Sequence, residues 1–558
     1  MSEAPHFPRL HRASLNKRQP NPRGFGWIPS ATKALLLFLL VSPGPETPGM
    51  AADHAIQPTP DIWSTARKAS RTHVFSTLFT AQDVQRSLST EEGLKTALQW
   101  CKDTGVTKVY IETFRDGYQA EKAALEHARD TFRAAGFTVS GCITPTKVGK
   151  SSTRWKETIS CYTDKATQDK VQAIFEYAAG CFDEIMIDDF WFTDCACEEC
   201  DAARQKTNVI VGERTYPVAG NTWEDYRCEL MVRMSRDRVL QPAKRVNPKC
   251  RLIIKYPQWY DTFHERGYEV LRETADFDRI WVGTETRDYT DQRWGGTVQY
   301  EACFIMRWLG GIGGAKCGGG WYDPFGTTEN TYLEQARQTI LGGARESMLF
   351  CYGALQRDTG PRNIQALRAN LPELLAMAKN VRGNQIIGVA AYKPINSHPE
   401  TEPRVFDFVG MLGIPLVPCH EFPAKAPAAF FSIHALKDPN LIPKLDSFIQ
   451  SGKPVLLTDG LARALTNSVQ LTRSNVHILP VKGQPKSLLQ LTQADLDSQR
   501  GPLLKPLKCS FKAPNRVALY LFRDKNWVIE NFNDDPVNVE LNGKSLTVPG
   551  RKWCHSWK

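Results

Sequence analysis

The sequence predicts an α/β protein: a (β/α)8 TIM barrel, then a flavodoxin-like α/β domain, then a small C-terminal antiparallel β domain. Three observations predict it. Between about residues 70 and 380, short β-branched or aromatic runs alternate eight times with longer helical patterns, which suits strand–helix units around a closed parallel sheet. A second α/β alternation begins after Arg382. From Asn515 onward, apolar and polar residues alternate between Asn/Asp-rich turns, as in antiparallel strands.

The eight strand candidates are His73–Phe79, Lys108–Phe114, Thr138–Thr144, Glu184–Phe192, Arg251–Tyr256, Arg279–Thr286, Ala315–Trp321 and Ser347–Tyr352. Helical stretches between them include Thr90–Thr104, Ala120–Ala135, Gln168–Ala179, Trp223–Val239 and Tyr332–Gly343. No glycine motif of a dinucleotide site follows the first strand. The domains are therefore set at 70–380 for the barrel, 382–467 for the flavodoxin-like part, 468–514 for a polar linker region and 515–558 for the last domain. In the second part the strands are Ile386–Ala391, Ile414–Val417, Ala429–Ile433 and Val455–Leu457, with helices at Val405–Leu412 and Leu441–Ser451.

Of the 558 residues, 42% are hydrophobic and 23% charged, so the chain buries cores and is not a disordered tail. Lys plus Arg number 70 against 60 Asp plus Glu. That excess is spread over the whole length and partly sits in the first 33 residues, which excludes a nucleic-acid stripe. Residues 1–52 read as a signal or targeting segment: Lys33 precedes the apolar run Ala34–Val41, and Pro/Gly and small residues follow. The run is far short of the roughly 20 residues of a membrane span. The mature chain is expected outside the cytoplasm, periplasmic or extracellular, with no spanning segment.

All 15 cysteines lie from Cys101 onward. Cys195, Cys197 and Cys200 fall within six residues directly after the fourth strand, and Cys161 sits in the preceding strand–helix loop at the same barrel face. Converging thiolates suit tetrahedral Zn²⁺. Four protein ligands would leave no open position, so the metal would be structural. The competing arrangement is one disulfide with buried free thiols.

This cysteine pattern resembles the zinc cluster of the glycoside hydrolase family 42 β-galactosidases, whose domain order is also similar. The resemblance implies Cys161, Cys195, Cys197 and Cys200 as zinc ligands and a trimerisation-type second domain, hence a homo-oligomer. Those enzymes end the fourth strand in Asn-Glu, where this chain has Asp188-Asp189-Phe190. In that respect it is similar to hypothetical glycosyl hydrolases of the same architecture, which implies a hydrolase acting on an oligo- or polysaccharide.

Barrel chemistry sits at the carboxyl ends of the strands. Glycoside hydrolysis needs two carboxyl groups flanking the scissile bond. Asp188 and Asp189 are the catalytic candidates on the fourth strand; alternation sends them to opposite faces, and either can face the mouth. Two acids in an apolar strand are costly to bury without a role. Glu285 on the sixth strand is the general-acid candidate across the mouth. Glu112, Arg115, Lys255, Arg287 and Asp323 at other strand ends are expected to bind substrate or shape the face. Trp191, Trp259 and Trp321 are expected as flat walls for sugar rings, with Trp294 among the other loop aromatics. Two rival readings are a carbohydrate-binding barrel without turnover and a lyase or deacetylase. Against the last, none of the 11 histidines falls in a paired metal-ligand spacing.

Overall fold

Eight parallel strands close on themselves in the computed structural model, which describes residues 61–287 and 298–557. They are β1 (Val74–Phe79), β2 (Val106–Arg115), β3 (Thr138–Ile143), β4 (Glu184–Ile187), β5 (Arg251–Tyr256), β6 (Arg279–Gly283), β7 (Cys317–Tyr322) and β8 (Glu346–Leu349). Each pairs with the next, and β1 pairs with both β2 and β8, which makes the sheet a barrel. From Thr59 onward the chain is one compact unit. The segment 1–52 and Trp294 lie outside the described residues. No helix among the described residues is long and apolar enough to cross a membrane.

The two-residue strand period stacks the barrel interior in layers. At the amino-terminal end, Lys108 meets Glu184 at 2.9 Å and Glu346 at 3.3 Å, while Ser140 donates to Glu184 at 2.9 Å. These charges are buried, so their pairing offsets the cost of desolvation. Two residues further along each strand lies an apolar layer that includes Tyr110, Cys142, Met186, Ile253, Trp281 and Met348. One more step along the same period reaches Glu112, Thr144, Asp188 and Lys255; on β6 that step is Gly283, and Glu285 lies two residues beyond it. The sequence period alone thus delivers a polar top layer above a dry plug.

Strand β4 ends at Ile187, not at Phe192 as expected. Alternation therefore stops before Asp189, and the chain turns. This removes the expected opposition between Asp188 and Asp189. The expected helix Trp223–Val239 is α-helical over Trp223–Met234 and continues as a wider π turn over Ser235–Leu240.

A second parallel sheet consists of β9 (Val389–Tyr392), β10 (Leu416–Cys419), β11 (Ala429–Phe431), β12 (Val455–Thr458) and β13 (Val476–Leu479), in the order β10-β9-β11-β12-β13. Its last strand and the helix Gln493–Leu504 fall inside the stretch 468–514, so that stretch is ordered structure and not a plain linker. The expected strand Ile386–Ala391 divides at Gly388. A Cβ there would lie 2.0 Å from the Pro415 carbonyl oxygen, so only glycine fits. Ile386–Ile387 instead pairs antiparallel with Leu521 and Phe522. The carboxyl-terminal residues form antiparallel ladders, including Val517–Phe522 against Trp527–Asn531. They meet the barrel through buried pairs: Arg337 with Glu530 at 3.2 Å and Arg551 with Glu334 at 3.2 Å.

Candidate active site

Lys255 stands at the centre of the barrel mouth, at the end of β5, and is almost wholly buried. Its ammonium lies 2.7 Å from Asp189 Oδ2, 2.8 Å from Glu285 Oε1 and 3.4 Å from Asp188 Oδ1. Beneath it, 4.1 Å away, is the Trp321 ring, which stacks on Phe350. Burial alone would lower the lysine pKa, but Asp189, Glu285 and Asp188 outweigh it and hold the group charged.

Asp188 is the inward-facing acid. It accepts from Arg115 Nη2 at 3.0 Å, and the Thr144 hydroxyl lies 3.0 Å away. Its other oxygen accepts from the Asp189 amide at 2.8 Å. Burial raises its pKa, yet Lys255 and Arg115 together bring it below the usual carboxylate value. A carboxylate so fully engaged is held ionised and rigid.

Asp189 differs. Its side chain is 13% exposed, against 3% for Asp188 and 4% for Glu285. Burial, together with the charges of Asp188 and Glu285 and against the pull of Lys255, pushes its carboxyl up to about 8. Glu285 is also raised, chiefly by burial, with Lys255 opposing and Asp323 adding to it. Gly283 makes room for it, since a Cβ there would sit 2.5 Å from Glu285 Oε2. Four carboxylates (Glu112, Asp188, Asp189, Glu285) crowd round Arg115 and Lys255, with Arg287 acting on Glu285 and Asp189 from further off. Burial and this crowding of negative charge raise both Asp189 and Glu285 above the ordinary carboxylate range.

Glu112 is buried and accepts from the Ala81 amide at 2.8 Å and from Arg115 Nε at 2.8 Å, with the Thr144 hydroxyl 2.5 Å away. Those bonds aim Arg115 at Asp188. Arg287 pairs with Asp323 at 2.5 Å, and Gln335 donates to the Asp323 carbonyl, tying the ends of β6 and β7 together. Trp321 is a floor under Lys255 and is almost wholly buried, which leaves little of its face for a sugar.

Trp191 was expected as a wall for sugar rings, and the structure corrects this. It is fully buried, packs on Tyr162 at 5.1 Å and donates to the Ser235 hydroxyl at 2.9 Å. Because β4 stops early, the chain carries Trp191 away from the mouth. Trp259 is half-buried and belongs to a group with Trp155 and Phe192; the Arg266 guanidinium lies 4.3 Å from its ring centre. Sequence reasoning missed Trp155, Arg266 and Thr144, and also Tyr268, whose hydroxyl donates to the Asp189 carbonyl. Thr144 was visible as a polar strand end; the others sit on loops, where no period marks them.

Below this rim, the sulfur atoms of Cys161, Cys195, Cys197 and Cys200 all lie within 4.8 Å of one another. The measured separations are 3.6 Å (Cys161–Cys200), 3.8 Å (Cys161–Cys197) and 3.5 Å (Cys197–Cys200). A disulfide would need about 2.05 Å. Sulfurs at about 2.3 Å from one tetrahedral zinc would be about 3.8 Å apart. The donor set fits zinc.

Residues 61–379 match the family described as "Probable glycosyl hydrolase, catalytic domain". The chain belongs to this family of glycosyl hydrolases. An uncharacterized protein of Saccharolobus solfataricus is 28% identical over 348 residues, which are 58% of this chain and 57% of that protein. The chain thus spans little more than half of that relative. An exo-carrageenase of glycoside hydrolase family 42 from Bacteroides ovatus superposes with a TM-score of 0.46 at 10% identity, covering 87% of this chain and 79% of that one. A glycoside hydrolase family 5 enzyme from Streptomyces cattleya gives 0.39 at 9% identity, over 75% of this chain and 100% of that one.

Proposed function

We propose that this glycosyl hydrolase cleaves O-glycosidic bonds with Asp189 and Glu285 as its carboxyl pair. The observation that carries the reading is the single ammonium of Lys255 bonded to both, from β4 and β6. Bonds of 2.7 and 2.8 Å to one nitrogen put those oxygens at most 5.5 Å apart, short of the roughly 6.5–9.5 Å that leaves room for the water of an inverting pair and so on the side of retention. Asp189, more exposed and raised to about 8, supplies the proton to the leaving oxygen. Glu285 is the nucleophile, an exchange of the roles expected from strand position. Asp188 and Arg115 position the pair. The test is hydrolysis of aryl glycosides and of plant, algal and host glycans by the purified protein, beside Asp189→Asn and Glu285→Gln.

A pH profile follows with a definite sign. The acid works only when protonated, so kcat is expected to fall as pH rises through about 8. A profile whose alkaline limb is unchanged in Asp189→Asn, at any level of residual activity, would sink the assignment.

The reading includes a structural zinc on Cys161, Cys195, Cys197 and Cys200, which would staple the loops after β3 and β4 and supply no Lewis acid to the mouth. Removing one ligand, as in Cys200→Ser, is expected to lower the thiolate-to-metal charge-transfer intensity of the Co²⁺-substituted protein by roughly a quarter and to lower its melting temperature. An unchanged spectrum would count against the four-thiol site. The reading also includes export through residues 1–52 and assembly of copies through the β9–β13 sheet, whose strand order is flavodoxin-like.

A further inference from the structure

A second cluster of metal-type donors lies away from the carboxyl pair, where the barrel meets the β9–β13 sheet. Glu224 is in the first turn of the helix Trp223–Met234, His264 opens the short helix His264–Arg266 after β5, and His398 lies in the loop after β9. One donor atom from each falls within 4.8 Å of the others. His264 Nε2 is 3.2 Å from each ring nitrogen of His398, and His398 Nε2 is 3.3 Å from Glu224 Oε2. Ligands at about 2.0 Å from one tetrahedral zinc are about 3.3 Å apart, which both spacings match.

The donors are also preorganised. The His264 ring is buried, and its own carbonyl and the next one are held by Cys228 and Arg227 of the Glu224 helix, at 3.5 and 2.8 Å. The His398 side chain is 31% exposed and that of Glu224 32%, so one side of the cluster is open to water. Glu265 Oε1 lies 3.8 Å from His398 Nδ1, behind the ring. At that distance it makes no hydrogen bond; drawn in by about 1 Å it would be the outer carboxylate that commonly orients a ligating histidine.

We propose that Glu224, His264 and His398 bind a divalent transition-metal ion of the zinc class, with water completing the shell. Two histidines and one carboxylate are a donor set that such ions favour. The ion braces the loop after β9 against the loop after β5, which also carries Trp259, Arg266 and Tyr268 at the mouth. It is separate from the four-thiol site and does not depend on the glycosidase reading. The rival occupant is a proton: a His398 imidazolium held between Glu224 and Glu265, with His264 as its acceptor.

The experiment uses the full-length protein, stripped with a chelator and titrated with Zn²⁺ and with Co²⁺ near neutral pH. Wild type is expected to bind one more equivalent per chain than His398→Ala or Glu224→Gln, and Cys200→Ser is expected to keep that increment. Co²⁺ in this site gives ligand-field bands without thiolate charge transfer, and the bands vanish in His398→Ala. Glu265→Ala is expected to weaken binding roughly 10- to 100-fold. The proposal is overturned if folded His398→Ala and Glu224→Gln bind as much metal as wild type. It is equally overturned if His398 titrates identically by NMR with and without metal, since that leaves only the proton.

Discussion

Asp189→Asn is expected to lower kcat/KM by roughly a hundred- to ten-thousand-fold, the usual contribution of a positioned proton donor or acceptor, while the protein stays folded. The amide keeps the size of the carboxyl and its place beside Lys255, but it has no proton to give. Glu285→Gln is expected to be at least as damaging, because it removes the proposed nucleophile. Stability should move the other way. A carboxyl whose folded pKa is raised weakens the fold as pH climbs from its unfolded value, about 3.9, towards about 8. Asp189→Asn removes that penalty, so its melting temperature at alkaline pH is expected to equal or exceed wild type. Activity loss together with unfolding would instead mark Asp189 as a framework residue.

Lys255→Met carries the largest expected effect on stability. The side chain is buried against three carboxylates, and removing one partner of a buried charge cluster costs roughly 3–5 kcal/mol. Asp188 would lose the cation that, with Arg115, keeps its pKa below the ordinary value. The folded pKa values of Asp188, Asp189 and Glu285 would all rise. The variant should therefore be least stable at high pH and recover as the pH falls and these groups take up protons. Urea unfolding midpoints measured across pH, beside wild type, read this directly. A variant as stable as wild type at neutral pH would show that the carboxyls do not depend on Lys255.

Much of the barrel was legible because its interior follows a two-residue period. Glu112, Lys255 and Glu285 stood out as polar residues at the ends of apolar runs; Lys255 meets Glu285, and Glu112 joins them through Arg115 and Asp188. The period also misled. Asp188-Asp189-Phe190-Trp191-Phe192 reads as more strand, but pairing with β3 and β5 stops at Ile187. Asp189 thereby gains a place beside Lys255, and Trp191 is lost to the core. Strand β13 was hidden in a polar stretch because it is an edge strand with only Leu479 fully buried, so no apolar run marks it. His264 and His398 are 134 residues apart; only the packing of the β9 loop on the barrel brings them together, and no local spacing announces it. The four thiols were legible because three of them are neighbours in the chain.

The stereochemistry of the first product tests the central claim most directly. With an aryl glycoside that the protein turns over, proton NMR of the fresh reaction mixture reports the anomer before mutarotation. Carboxyl oxygens no more than 5.5 Å apart across Lys255 predict net retention, with the glycosyl–enzyme ester on Glu285. Net inversion would contradict it, because a water molecule between nucleophile and sugar needs a wider gap than this pair leaves.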